Sequence, residues 1–378
     1  MSLTNLHKCP WPYFGGKSGA APAIWEALGD VDHYVEPFCG SLATLLLRPH
    51  EANRTYHSET VNDADGLLVN AWRSIQWSPD ATAEAASWPV AEADVHARHL
   101  AILRWQRERD LERLMGDPKW HDPEIAGWWI WGACCWIGSG WASGRGPWVV
   151  SADGRMVRRE GKGEGTWKQL PHLSDNGRGV NHAGAREPGV ILPDAADFHP
   201  VTMPEVRRWF AFLSARLRHV RILNGDWKRA VTGGASKPIT VRMGDGHAGI
   251  FLDPPYRATG TRDADLYTND DGDDISAEVR AWCEKHGDDP KLRIVLAGFA
   301  GEGHEALTAR GWREVEWFKA GFLKGGMGNT SARADGDDAP AHQQHLERLW
   351  FSPACIAPRV AEPKRQPSLF DLVGEAAE

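Results

Sequence analysis

The chain has 378 residues and a formal net charge of −8, from 43 basic and 51 acidic side chains. Hydrophobic residues make up 42% and charged residues 25%, ordinary values for a globular protein that argue against general disorder. The length suits one large α/β domain carrying an insertion, or two domains, and the acidic balance excludes a passive coat for nucleic acid while leaving room for a local basic groove.

No apolar run approaches the ~20 residues that span a bilayer, so no membrane partner is expected. The start, Met1-Ser2-Leu3-Thr4-Asn5, lacks the basic-then-apolar layout of a secretory signal. The six cysteines show no paired spacing, and Cys134 and Cys135 are adjacent. A disulfide framework or Cys-rich zinc site is therefore not expected, and the expected compartment is a reducing cytoplasm.

In chain order, His33–Phe38 reads as a buried strand, Cys39-Gly40-Ser41 as a tight turn, and Leu42–Leu47 as the start of a helix. A second strand is expected over Thr55–Ser58, leading into Asn62-Asp63, with a helical stretch at Leu67–Trp72. This rhythm predicts a parallel sheet. A charged helix is expected from about Ala91 to Met115. From Gly127 to Pro193 the sequence is dense in Trp, Gly and Arg, with no sustained period, and 77–200 reads as an insertion. Trp128, Trp129, Trp131, Trp136 and Trp141 read as its small core, with stacking on bases as the alternative. Thr202-Met203-Pro204-Glu205 has capping-box spacing, and Val206, Trp209, Phe210, Leu213 and Leu217 form an apolar stripe. Further strands are predicted at Val220–Leu223, Ile250–Leu252 and Ile294–Ala297. Glu314–Phe318 and Leu346–Phe351 could close the sheet as an antiparallel edge. The acidic run Asp270–Asp274 reads as a solvated loop, and the tail 357–378 as a linker. The organisation is thus 1–76 and 201–356 as two halves of one core, with 77–200 inserted.

The sharpest chemical signal is Asp253-Pro254-Pro255-Tyr256, directly after an apolar strand. That placement puts a carboxylate at the carboxyl end of a parallel strand, where open α/β sheets bind ligands. Two prolines remove two donors, so the loop exposes carbonyls. A fixed carboxylate, a carbonyl and an aromatic face suit the gripping of a planar amine. If Asp253 and the Pro254 carbonyl each accept an N–H, the nitrogen can pyramidalise and aim its lone pair at an electrophile. Tyr256 can stack on a base flipped from a duplex. An ordinary strand-end turn is the alternative.

Other motifs stand around it in a set order. Tyr13-Phe14-Gly15-Gly16-Lys17 precedes the first strand, Pro37-Phe38-Cys39-Gly40-Ser41 follows it, Asn62-Asp63 ends the second strand, and Asp226-Trp227 ends the strand before Asp253. This set resembles the Dam-like, α-ordered family of adenine-N6 DNA methyltransferases, nearest its phage-type members. The resemblance covers roughly 8–76 and 219–353. It implies a Rossmann-like, seven-stranded core with an inserted target-recognition region, S-adenosylmethionine as cofactor and double-stranded DNA as partner. It further implies that Tyr13 and Lys17 contact the methionine part of the cofactor, and that the turn from Pro37 through Phe38, Cys39 and Gly40 to Ser41 passes under it. Asp63 would accept from the ribose hydroxyls, Asp226 from the adenine amine, and the Trp227 N–H would reach a ring nitrogen. Asp253, Pro254, Pro255 and Tyr256 would hold the target base. Asp63 and Asp226 also read as helix caps. One departure is Leu42, where the family's turn commonly carries a second Gly.

Eight basic residues against five acids in 145–187 place DNA contacts in the insertion. Arg145 and Arg178 suit guanine edges, and Lys168 and the others suit phosphates. A solvated loop is the alternative. In-line transfer from a sulfonium needs alignment more than a metal, and His342-Gln343-Gln344-His345 does not make a metal site. Gln366–Phe370 resembles the peptide by which bacterial DNA enzymes dock on the sliding clamp, and a terminal turn packed on its own domain is the alternative. Transfer to cytosine N4 or RNA, and a catalytically silent DNA-binding relative, are the rival functions. A nicotinamide enzyme is disfavoured because the first turn lacks Gly-x-Gly-x-x-Gly.

Overall fold

Nearly continuous burial along the central strands shows how the sequence makes a three-layer fold, with helices on both faces of the sheet. A computed structural model describes residues 7–11, 13, 15–49, 58–88, 91–108, 120–135, 141–142, 148–151, 153, 156–158, 202–233, 237–238, 246–255, 272–316 and 347–357. The chain begins with α1 (Ala21–Leu28), β1 (His33–Glu36), α2 (Ala43–Leu46), β2 (Ser58–Asp63) and α3 (Gly66–Trp77). Then come α4 (Pro79–Ala86), α5 (Glu92–Glu108), α6 (Pro123–Cys135) and the hairpin β3 (Trp148–Val150) and β4 (Met156–Arg158). Next are α7 (Thr202–Leu217), β5 (Val220–Asn224), the short α8 (Lys228–Val231), the pair β6 (Thr232–Gly233) and β7 (Lys237–Pro238), and β8 (Ala248–Leu252). The described chain ends through α9 (Gly272–His286), β9 (Leu292–Phe299), a 3₁₀ helix (His304–Arg310), β10 (Arg313–Glu316) and β11 (Glu347–Phe351).

Seven strands form one sheet in the order β10-β11-β9-β8-β1-β2-β5. The pairs β9–β8, β8–β1, β1–β2 and β2–β5 are parallel, and β11 is antiparallel to both neighbours. The expected antiparallel edge is therefore present. The chain steps outward from β1 to β2 to β5, then returns to the other side of β1 at β8. β1 and β8 flank the point where the winding reverses, and open α/β sheets bind ligands beyond the carboxyl ends of such strands.

Successive side chains on a strand face opposite sides. Tyr34, Phe251, Val295 and Ala297 join one cluster with Ile24, Leu28, Trp72, Trp129 and Phe210, covered by α1, α3, α4, α6 and α7. Val35, Ile250, Leu252, Ile294 and Leu296 join the other, under α8 and α9 with Trp227, Val279 and Trp350. The stripe read on α7 (Val206, Trp209, Phe210, Leu213, Leu217) is buried in the first cluster. β8 is buried at all five positions, as a central strand requires.

Several expectations are corrected. The second strand is Ser58–Asp63 rather than Thr55–Ser58. Its polar sequence hides a central strand because Glu59 is neutralised inside the fold: Arg216 Nη1 lies 2.6 Å and Arg48 Nη1 3.1 Å from its carboxylate. Burial raises the Glu59 carboxyl, but these guanidinium groups outweigh it and hold it below the usual value. The charged helix spans Glu92–Glu108, with 109–119 outside the described residues. Residues 272–274, read as loop, belong to the first turn of α9, whose last turn carries Lys285 and His286. α1 was not foreseen; its first turn carries Pro22, whose fixed φ suits that place. α6 lies in the stretch read as aperiodic. It is apolar on several sides, with Ile125, Ala126, Trp129 and Ile130 in the first cluster and Trp131 and Cys135 in a smaller one with Val95. A helix apolar all round shows no period in sequence. α4 and α6 therefore share the core of the sheet's first face, and packing does not change at residue 77.

Candidate functional site

At the carboxyl end of β1 the chain must turn sharply beneath the open end of the sheet. Gly40 takes φ +43°, and a Cβ there would lie 2.7 Å from the Tyr13 ring. Leu42, two residues on, adopts the same left-handed backbone with φ 54° while fully buried. Its N–H donates to Cys39 O at 2.7 Å. So the turn follows a glycine-like path with a leucine, at a cost of about 1–2 kcal/mol. Trp72 Nε1 donates to Gly40 O at 2.9 Å and fixes the turn from below. Pro37, Cys39 and Ser41 are buried, and Phe38 is half-buried.

Asp63, the last residue of β2, is half-buried beside this turn. Its Oδ2 accepts from Gly40 N at 3.0 Å and its Oδ1 from Asp65 N at 2.9 Å. Loss of water pushes the carboxyl up to about 6, against the pull of the Asp65 and Gly40 N–H groups. The helix cap expected as an alternative for Asp63 belongs to Asp65, whose Oδ1 accepts from Leu67 N at 2.8 Å. Asn62, given no role from sequence, is buried and donates to Pro37 O at 3.0 Å and Gly225 O at 2.9 Å. One side chain thereby ties together the loops after β1 and β5 from the end of β2. A polar residue closing a strand was the only hint.

Asp253 follows β8 directly, across the switch point from Gly40. Lys17, almost fully buried, places Nζ 3.1 Å from Asp253 Oδ2 and donates to Gly15 O at 2.8 Å. Gly16 lies against the Ser41 hydroxyl, since a Cβ added there would be 3.4 Å from Ser41 Oγ. The N-terminal loop, the turn after β1 and the Asp253 loop thus meet at one place. Lys17, which the resemblance sets against the methionine part of the cofactor, has a protein carboxylate as its neighbour. Pro254 is buried and Pro255 half-buried. Glu36, at the end of β1, accepts from Tyr34 OH at 3.1 Å. Burial pushes the Glu36 carboxyl well above its ordinary range despite that bond, and the charge of Asp253 adds to the rise. Sequence reading had left this acid as part of a strand.

Asp226 is exposed after β5, just before Trp227, the N-cap of α8, and its Oδ1 accepts from Lys228 N at 2.8 Å. Trp227 is buried with its ring 5.8 Å from Phe38. Tyr13 is 41% exposed and lies over Gly40. Tyr256, Arg145, Lys168, Arg178 and the tail peptide Gln366–Phe370 lie outside the described residues.

Gly40 gives room for the Tyr13 ring over the turn, Asp63 stands at the end of β2, and Asp226 beyond β5. A carboxylate has about four acceptor positions, so Asp253 can meet an amine as well as Lys17. Among the described residues no group of three or more His, Cys, Asp or Glu is placed to hold a metal ion. No helix among them is long and apolar enough to cross a membrane. No protein-family model matches the chain, and no curated protein matches it.

Proposed function

We propose that the chain is a methyltransferase that uses S-adenosylmethionine to modify the exocyclic N6 of an adenine swung out of double-stranded DNA. Its core would be the Rossmann-like sheet, and its target recognition would come from the insertion. The observation that carries this reading is the Lys17–Asp253 contact beside the Gly40 turn, at the winding reversal between β1 and β8.

Bound S-adenosylmethionine would supply a methyl group already activated by its sulfonium. Tyr13 and the turn from Pro37 to Ser41 would line its seat, Asp63 would accept from its ribose and Asp226 from its adenine amine. Asp253 and the Pro254 carbonyl would accept the two N–H bonds of the target amine, which localises the nitrogen lone pair. Lys17 holds the Asp253 carboxylate in a fixed orientation, so the acceptors are preorganised and alignment is achieved before transfer. The proton released from the amine would pass to Asp253 or to solvent. Tyr256 would stack on the base.

Incubation with methyl-labelled S-adenosylmethionine and mixed-sequence duplex DNA, then mass spectrometry of the digested nucleosides, tests this. N6-methyldeoxyadenosine is the expected product. N4-methyldeoxycytidine would move the target to cytosine, and no methylated nucleoside would refute the reading.

A further inference from the structure

Arg98 in α5 is 8% exposed, and burial lowers its affinity for the proton. Its guanidinium carbon lies 4.2 Å from the Trp131 ring centroid and 5.8 Å from those of Trp88 and Trp128. No carboxylate among the described residues comes within ion-pair distance, and Nη1 is buried without a hydrogen-bond partner. Asp94 and Glu124 act on it only through their longer-range field, and both are exposed. The adjacent Cys135 thiol is pushed up to about 12 by burial and carries no compensating charge at neutral pH. Three indole faces return part of the desolvation cost, yet a buried N–H without an acceptor remains expensive.

The location gives this cation a use. Cys134, in the last turn of α6, donates to Pro10 O at 3.7 Å. Trp11 packs between Trp72 and Trp129, with centroids 4.5 and 5.2 Å away, and Trp72 holds Gly40. Trp131, the ring nearest Arg98, is on the same α6. The Trp box thus shares α6 with Cys134 and Trp129, which touch the N-terminal loop of the candidate site.

We propose that Arg98 is a receptor for a backbone phosphate of the nucleic acid, held flat by Trp131, Trp128 and the half-exposed Trp88. The planar fork of guanidinium donors matches two phosphate oxygens, and stacking on indoles fixes the fork before the anion arrives. A phosphate arriving on the side of the half-exposed Trp88 would balance the charge. The proposal rests on the reading of duplex DNA as substrate.

The test is the salt dependence of duplex binding by the full chain, between about 50 and 200 mM salt. Arg98→Met should lower the slope of log affinity against log salt by about one and weaken binding roughly tenfold. Its melting temperature should stay level or rise, because an unpaired buried charge is removed. An unchanged slope overturns the proposal while leaving the methyltransferase reading intact. A reduced slope in a protein that methylates no nucleoside upholds Arg98 as a phosphate receptor and refutes the reading; absence of DNA binding by the unaltered chain refutes both. Should Arg98→Met fail to fold, Arg98→Lys decides: it keeps the charge and loses the fork, so several-fold weaker binding at an unchanged slope is expected, and unaltered affinity contradicts the proposal.

Discussion

Cofactor affinity should depend on pH through Asp63. Its carboxyl is pushed up to about 6, chiefly by loss of water beside the Gly40 turn. Ribose hydroxyls donate best to the ionised form, so binding favours deprotonation. Affinity should be greatest above pH 6 and fall as the carboxyl protonates below it. At pH 5 roughly one chain in ten carries the ionised group, so affinity should drop about tenfold from its value at pH 7, or about 1.4 kcal/mol. For the cofactor-free fold the sign is reversed. The folded value lies above the ordinary 3.8, so this group favours the folded state below 3.8, and that contribution is lost as pH rises through about 6. Calorimetric titration with S-adenosylmethionine from about pH 5 to 8 measures the first effect, and Asp63→Asn should flatten the profile at low affinity. A flat profile in the unaltered protein, or a profile unchanged by Asp63→Asn, would refute the reasoning.

Two further predictions concern the frame of the site. Leu42→Ala keeps the left-handed strain and leaves a cavity, whereas Leu42→Gly leaves a larger cavity and relieves the strain. Despite its smaller side chain, the glycine variant should be more stable than the alanine variant by about 1 kcal/mol, read from denaturant midpoints; the reverse order would show that the backbone strain is not real. Glu59→Gln strips two buried guanidinium groups of their charge partner and should cost about 3–5 kcal/mol. Thermal melts check this, and a loss under about 1 kcal/mol would mean that water solvates Arg48 and Arg216.

The layout of the sheet was legible where apolar runs stood between turn signals, as in Ile250–Leu252 and Ile294–Ala297. The carboxylate after β8 and the glycine after β1 were legible for the same reason: strand ends point to a site. β2 was misplaced because its Glu59 is made tolerable by Arg48 and Arg216, distant partners that no local pattern reveals. α6 was hidden because burial on several sides erases periodicity. The pairing of Lys17 with Asp253 depends on the reversal of the winding, and the strand-tying role of Asn62 on loops far apart in sequence. Leu42 shows the opposite case, where sequence marked a departure and the backbone kept the glycine-like conformation.

The most direct test of the shared site is single-turnover methyl transfer by Asp253→Asn, with S-adenosylmethionine affinity measured on the same preparation. Asparagine keeps a polar neighbour for buried Lys17, where alanine would leave that cation unpaired. The account predicts a rate loss of at least about 10²-fold, as for removal of one preorganised group, with affinity within about threefold of the unaltered chain. Turnover retained at the original rate would contradict it.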